Sequence, residues 1–224
     1  MIPLYDTVRS HKIPIVNFVL IAANVLAFLY ESQLDSATLR ELIFTWGFIP
    51  GHLVNNPGSA WVTIFTSMFL HGGWFHILTN MWVLFIFGDN VEARMGGIAY
   101  LVFYLLSGIA AGLVQMVLLP ASQIPVIGAS GAIAGVLGAY LVLYPRSRIA
   151  SLVPIFFIFT LVEVPAFIYL AFWFVSQLFS GLMSFEGADT SGVAWWAHVG
   201  GFVFGIISSL LFARRRRGIR GWYD

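Results

Sequence analysis

Six stretches of this chain stay apolar for about the length of a membrane helix or more, separated by polar breaks of which the first is long. A bilayer core about 30 Å thick is crossed by about 20 apolar residues in α-helix. Ile13–Tyr30 carries no charge, Trp61–Gly88 and Gly96–Pro120 follow, and Gly128–Tyr144 is a short glycine-rich fourth run. Ala150–Ser184 is a fifth, interrupted by Glu163, and Val193–Ala213 is the sixth. The fifth is too long for one span. Pro154 and Pro165 divide it into an interfacial piece and a helix near Val164–Met183, because proline breaks helices. The pattern predicts an all-α, polytopic membrane protein with a single domain over residues 1–224. Its six transmembrane helices fall at about 13–30, 68–88, 96–120, 128–144, 164–183 and 193–213. The external loop 31–60 holds a short amphipathic helix, Ser36–Phe44, with Leu39, Leu42 and Ile43 on one side. Ile13–Tyr30 reads as a span rather than a cleaved leader, since no small-x-small site follows it in Glu31–Leu39. The two halves share no pair of broken helices of the kind that marks inverted-repeat transporters.

Composition agrees: 59% of the 224 residues are hydrophobic and 9% charged, against about 25% charged in soluble domains. A net charge of +1 offers no basic field for nucleic acid. Without cysteine there is no disulfide, thiol nucleophile or thiolate metal site. Charge also orients the spans. Arg9, Lys12, Arg94, Arg146, Arg148, Arg214–Arg217 and Arg220 all fall on one side, leaving Arg40 alone of the 11 basic residues on the other. The positive-inside rule makes that side, with both termini, cytoplasmic. The Arg214–Arg217 cluster reads as a topology anchor, with an anionic-lipid site as the alternative.

Polar groups at membrane depth are costly and face a bundle interior or a wet cavity. His71, His76 and Asn80 stand in HGGWFHILTN, Ser130 in GASG and His198 in AHVGG. At about 1.5 Å per residue, Ser130, His198 and His76 lie about 20–22 Å above the cytoplasmic ends of their helices. Three groups on three spans therefore share one height, in the outer half of the bilayer. Gly131, Gly135 and Gly138 line one face of span 4, and His198, Gly201 and Gly205 one face of span 6. Small-residue faces permit close backbone approach. Their meeting brings Ser130 to His198, the minimum apparatus for nucleophilic acyl transfer. No carboxylate is expected at this depth, so the reading is a dyad rather than a triad. The Ser130 N–H at a helix start, with His76 and Asn80, supplies oxyanion donors, and Gly128 leaves room for a carbonyl. The segment Ala121–Ile127 must dip below the external surface.

The ordered set HGGWFHILTNM, EARMG, GASGAIAG and AHVGGFVFG resembles the rhomboid intramembrane serine proteases, in their compact six-span bacterial form, over nearly the whole chain. The resemblance implies a rhomboid-like bundle with a short fourth helix, and cleavage of transmembrane segments near their external end. It implies Ser130 as nucleophile, His198 as general base, and His76, Asn80 and the Ser130 amide as oxyanion hole. His71, Gly128, Gly131, Gly201 and Gly205 take supporting roles. Glu92, Arg94 and Gly96 match a loop that braces the fold. The long first loop and span 5 would form the membrane-embedded lip and the lateral substrate gate. The bacterial plasma membrane is the expected location, with the site opening to the extracytoplasmic side. No cofactor or metal is implied, and the partners are transmembrane protein substrates and lipid, with the oligomeric state open.

Three other readings make different demands on the sequence. A metalloprotease needs HExxH or another cluster of histidines and carboxylates, a transporter needs repeats or a charged midplane site, and an inactive scaffold typically lacks the nucleophile or the base.

Overall fold

The structure is a computed structural model that describes residues 1–8, 10, 12–55, 57–155, 158–185 and 192–213. Arg9, Arg214–Arg217 and Arg220 lie outside the described residues. A strand, β1 (Ile2–Asp6), precedes helix α1 (Ile15–Glu31). Short helices α2 (Ser36–Trp46), α3 (Pro50–Asn55) and α4 (Pro57–Thr66) and a 3-10 turn (Ser67–Phe69) lead to α5 (Trp74–Met95). Then come α6 (Gly97–Leu118), α7 (Ser130–Leu143), strands β2 (Arg148–Ile155) and β3 (Ile158–Pro165), α8 (Ala166–Phe185) and α9 (Trp195–Phe212). By length and hydropathy α6, α8 and α9 each suffice to cross a membrane, and α1 and α7 are shorter apolar helices. Ala60–Phe69 and α5 qualify together, as a pair bent by 82°.

The distribution of polarity is that of a membrane protein. Ile98 and Leu211 are 84% exposed, while Asn17, Asn24 and Ser107 are fully buried. Buried polar groups need partners. The Asn17 amide donates to the Leu84 carbonyl at 3.0 Å and accepts from the Tyr100 hydroxyl at 2.8 Å, tying α1 to α5 and α6.

At the centre stands α7, buried at every residue from Gly131 to Tyr140. It packs on α9 through the two glycine faces. A Cβ on Gly201 would lie 2.0 Å from the Gly131 carbonyl oxygen, and one on Gly205 2.0 Å from that of Gly135. One on Gly138 would meet the Phe202 carbonyl oxygen at 2.1 Å. The contact between spans 4 and 6 expected from the sequence is therefore backbone against backbone.

Span 2 differs from expectation in its start. The apolar run breaks at Leu70–Gly73, so α5 begins at Trp74 rather than residue 68, and His71 lies before the helix. At the other end Gly96, at φ 87°, joins α5 directly to α6. Glu92, in the last turn of α5, accepts from the first-turn amides Val16 N (3.1 Å) and Asn17 N (2.7 Å). It thereby caps α1, whose flanking Pro14 provides no side-chain cap. This is the physical content of the brace in EARMG. Glu92→Ala is expected to lower stability by about 1–2 kcal/mol, the usual worth of a cap near a helix N-terminus, read as a lower unfolding midpoint in detergent.

The fold is not purely helical. β1, β2 and β3 form an antiparallel sheet in that order, with Ile2 opposite Leu152 and Arg148 opposite Pro165. The expected interfacial piece before span 5 is thus a hairpin, and Glu163 sits in β3 opposite Ala150. Alternating Val, Ile, Leu and Phe suit strands, but an apolar run between prolines cannot be told from buried helix by periodicity alone. Asp6 closes the sheet onto the bundle by accepting from the Asn90 amide at 2.8 Å and from the Tyr140 hydroxyl. Burial pushes its carboxyl up to about 6 despite these donors. The folded chain then holds that proton more tightly than the unfolded chain, where the value is about 4. Its contribution favours folding at low pH and is lost as pH rises through about 6. Asp6→Asn, which keeps an acceptor without the charge, should flatten the fall in unfolding midpoint between about pH 4 and pH 7.

Candidate active site

Three helix N-termini converge on one spot. Ser130 is the first residue of α7, His198 lies in the first turn of α9 and His76 in the first turn of α5. First-turn amides lack intrahelical partners, and the helix dipole favours negative charge there. Ser130 Oγ lies 2.8 Å from His198 Nε2. Both residues are half-buried. The imidazole lies near two indoles, with ring centroids 6.0 Å from Trp173 at 31° and 6.0 Å from Trp195 at 90°.

Gly128 sits two residues before the serine, at φ 116°, where a side chain is strained. A Cβ there would lie 2.6 Å from His76 Nε2 and 3.7 Å from Asn80 Nδ2, so both nitrogens border the space this glycine leaves. The Gly72 N–H donates to His76 Nδ1 at 3.4 Å. Neutral imidazole with an accepting Nδ1 carries its proton on Nε2, so the nitrogen facing Gly128 is a donor. Asn80 is 7% exposed, and its Nδ2 is buried with no hydrogen-bond partner. A buried unsatisfied donor is costly, and here it borders the space next to the serine. Asn80→Ala, which removes this orphaned donor, should hold or raise the unfolding midpoint in detergent.

His71 is placed differently from the other named residues. It is 1% exposed, with Nδ1 3.2 Å from the Phe69 carbonyl and its ring edge-on to His76 at 5.1 Å. Its backbone N–H donates to Glu31 Oε2 at 3.0 Å. Glu31, the last residue of α1, is 2% exposed. This buried carboxylate holds the loop before α5 rather than the imidazole of His198.

The stretch before Gly128 is non-helical, and protein satisfies its backbone. Phe48 and Val126 exchange both backbone hydrogen bonds (3.0 and 2.7 Å), Gly51 N donates to Ser122 O (2.9 Å), and Gly128 N to Ser67 O (2.8 Å). A cavity of about 30 Å³ adjoins Ser130, lined among others by Met68, Ala111, Gly128 and Ala197. It is large enough for a water molecule. Among the described residues no three His, Cys, Asp or Glu side chains are grouped to hold a metal.

Two glutamines escaped the sequence reading. Gln115 of α6 accepts from the first-turn amide of Ala197 at 3.0 Å, capping the turn that carries His198. Gln177 of α8, 8% exposed, places Oε1 2.8 Å from His198 Nδ1. The available signal was an uncharged amide inside an apolar run, where a polar group needs a partner.

A serine hydroxyl bonded to a histidine, held at converging helix ends inside a bundle of apolar helices, defines a membrane protein with a serine–histidine site. A model of the Rhomboid domain matches residues 58–215, and the chain belongs to the rhomboid family of integral membrane proteins. It is 40% identical to Rhomboid-like protein 11, chloroplastic, of Arabidopsis thaliana, over 34% of this chain and 27% of that protein. It is 31% identical to Putative rhomboid protease YdcA of Bacillus subtilis, over 57% of this chain and 61% of that protein. It is 26% identical to the Homo sapiens Presenilin-associated rhomboid-like protein, mitochondrial, over 92% of this chain and 52% of that protein. The chain thus spans less than two thirds of the length of each of these relatives.

Proposed function

We propose that this protein is an intramembrane serine endopeptidase that cleaves transmembrane segments of membrane proteins near their extracytoplasmic end. The contact of 2.8 Å between Ser130 Oγ and His198 Nε2 carries the proposal. Ser130 Oγ attacks the scissile carbonyl carbon while its proton passes to His198 Nε2. The developing oxyanion takes hydrogen bonds from the Ser130 amide, His76 Nε2 and Asn80 Nδ2. The C–N bond then breaks, and the proton on His198 leaves with the amine. Water, its proton taken by His198, hydrolyses the acyl-enzyme and returns the serine hydroxyl.

In this reading α1, α5, α6, α7, α8 and α9 are the six spans. The N-terminal ends of α1, α6 and α8 and the C-terminal ends of α5, α7 and α9 share one side. Lys12, Arg94, Arg146 and Arg148 fall there, while Arg40 of α2 lies on the side of Ser130. The positive-inside rule then makes both termini cytoplasmic and opens the site outward, as in a bacterial plasma membrane. The half-buried Leu39, Leu42 and Ile43 of α2 suit an interfacial position.

The test is covalent. A fluorophosphonate or isocoumarin should label the folded protein at Ser130, located by mass spectrometry, and a panel of single-span substrates should give products cut near their outer end. Folded protein that takes no label and cuts no substrate would replace this reading with that of an inactive scaffold.

A further inference from the structure

A histidine that takes a serine proton on Nε2 must carry its own proton on Nδ1. Gln177 faces that nitrogen, and the amide atom it presents decides the matter, because Oε1 accepts and Nε2 donates. The neighbours assign the orientation. Ser176 Oγ lies 2.6 Å from the Trp173 carbonyl oxygen, an acceptor only, so the serine hydrogen is committed there. The Ser176 oxygen is left to accept, and Gln177 Nε2 donates to it at 3.0 Å. The amide nitrogen therefore points away from His198 and Oε1 towards it, at 2.8 Å from Nδ1. Nδ1 can meet Oε1 only by donating.

The surroundings make this arrangement specific. Phe172, Val175 and Phe179 of the same helix are exposed to the surroundings of the bundle, whereas Gln177 is buried. A carboxamide in an apolar helix costs free energy unless its polar atoms are bonded. Here both ends of the amide are bonded, to a set of residues that serves His198. Trp173, one turn earlier, lies against the same imidazole.

We propose that Gln177 is a positioning residue: it accepts from His198 Nδ1, fixes the tautomer and leaves Nε2 free for the Ser130 proton. This rests on the protease reading above. The site is then a serine–histidine pair with a neutral third member, which orients the base without burying a carboxylate beside it. Because Trp173, Ser176 and Gln177 all belong to α8, the seating of that helix against α9 sets both the plane and the tautomer of the base.

The experiment uses the full chain in lipid nanodiscs with a cleaved single-span substrate. Gln177→Met keeps the volume and removes the amide; its kcat should fall roughly 10- to 100-fold, about one hydrogen bond's worth of orientation. KM should change less than about twofold, with the unfolding midpoint held. Gln177→Glu, which still accepts from Nδ1, should recover most of kcat. In the ¹⁵N spectrum of histidine-labelled protein, assigned against His198→Ala, His198 should carry its proton on Nδ1, and Gln177→Met should move it towards Nε2. Full kcat and an unchanged tautomer in Gln177→Met overturn the assignment. So does a loss that Gln177→Glu fails to recover and that comes with a lowered midpoint, the mark of mere packing. The tautomer is read without any cleavage. A parent that shows Nδ1–H but neither cuts nor labels therefore overturns the protease reading, and a parent that cuts while Gln177→Met behaves identically overturns the role of Gln177 alone.

Discussion

Ser130→Ala is expected to abolish cleavage, by roughly 10⁴-fold or more, while the protein remains folded. The substitution removes one half-exposed oxygen and leaves the α7–α9 contact intact, so the unfolding midpoint should stay within a degree or two. The size of the loss follows from the way a nucleophile and its base act as a unit. For the same reason His198→Ala should be equally inactive, and the double variant no worse than either single one. The measurement is the initial rate of cutting a single-span substrate by purified protein. Cleavage by Ser130→Ala above about 1% of the parent rate would remove Ser130 from the chemistry, whatever its distance from His198.

Gly201→Leu should damage stability and activity together. The new Cβ would start 2.0 Å from the Gly131 carbonyl oxygen, a backbone atom that cannot swing aside. Helices α7 and α9 must part to admit it. Overpacking of a tight contact costs about 1–3 kcal/mol and at times more, and this one lies at the upper end because main chain meets main chain. Ser130 precedes Gly131 and His198 precedes Gly201 by less than one turn, so the same displacement opens their hydrogen bond. A lowered unfolding midpoint with cleavage below about 1% is the expected pair of results. Val203→Leu, on the 39% exposed side of α9, is the control and should change neither. Normal stability and rate in Gly201→Leu would mean that the two glycine faces do not meet.

Much of this site was legible in one dimension. Apolar run lengths marked the helices, because the backbone must satisfy its own hydrogen bonds in lipid. Glycines at helical spacing marked α7 and α9 as partners, and the rise per residue brought Ser130, His198 and His76 to one height. Periodicity failed where it carries no information. The expected interfacial piece within Ala150–Pro165 is a hairpin, since a short apolar run between prolines has no period that separates strand from helix, and its second partner, β1, lies far away in sequence. The expected span 2 takes in His71 because the three residues His71–Gly73 are too short an interruption to end a predicted span, although the backbone breaks there and His71 falls outside α5.

The order of residues already specifies the membrane class, the helical runs and the shared height of Ser130 and His198, because each follows from local composition or from spacing along one helix. It also determined which faces could approach, because glycine is the residue that lets backbones touch. What surrounds the pair is set by packing. That Glu31 holds the loop before α5, that Gln115 caps α9 and that Gln177 meets His198 Nδ1 depend on side chains 40, 82 and 21 residues from their partners. Such contacts have no period, and a polar side chain in an apolar run says only that a partner is needed, not which one. They are set by how the helices turn about their axes when they pack, and that rotation exists only in the folded bundle.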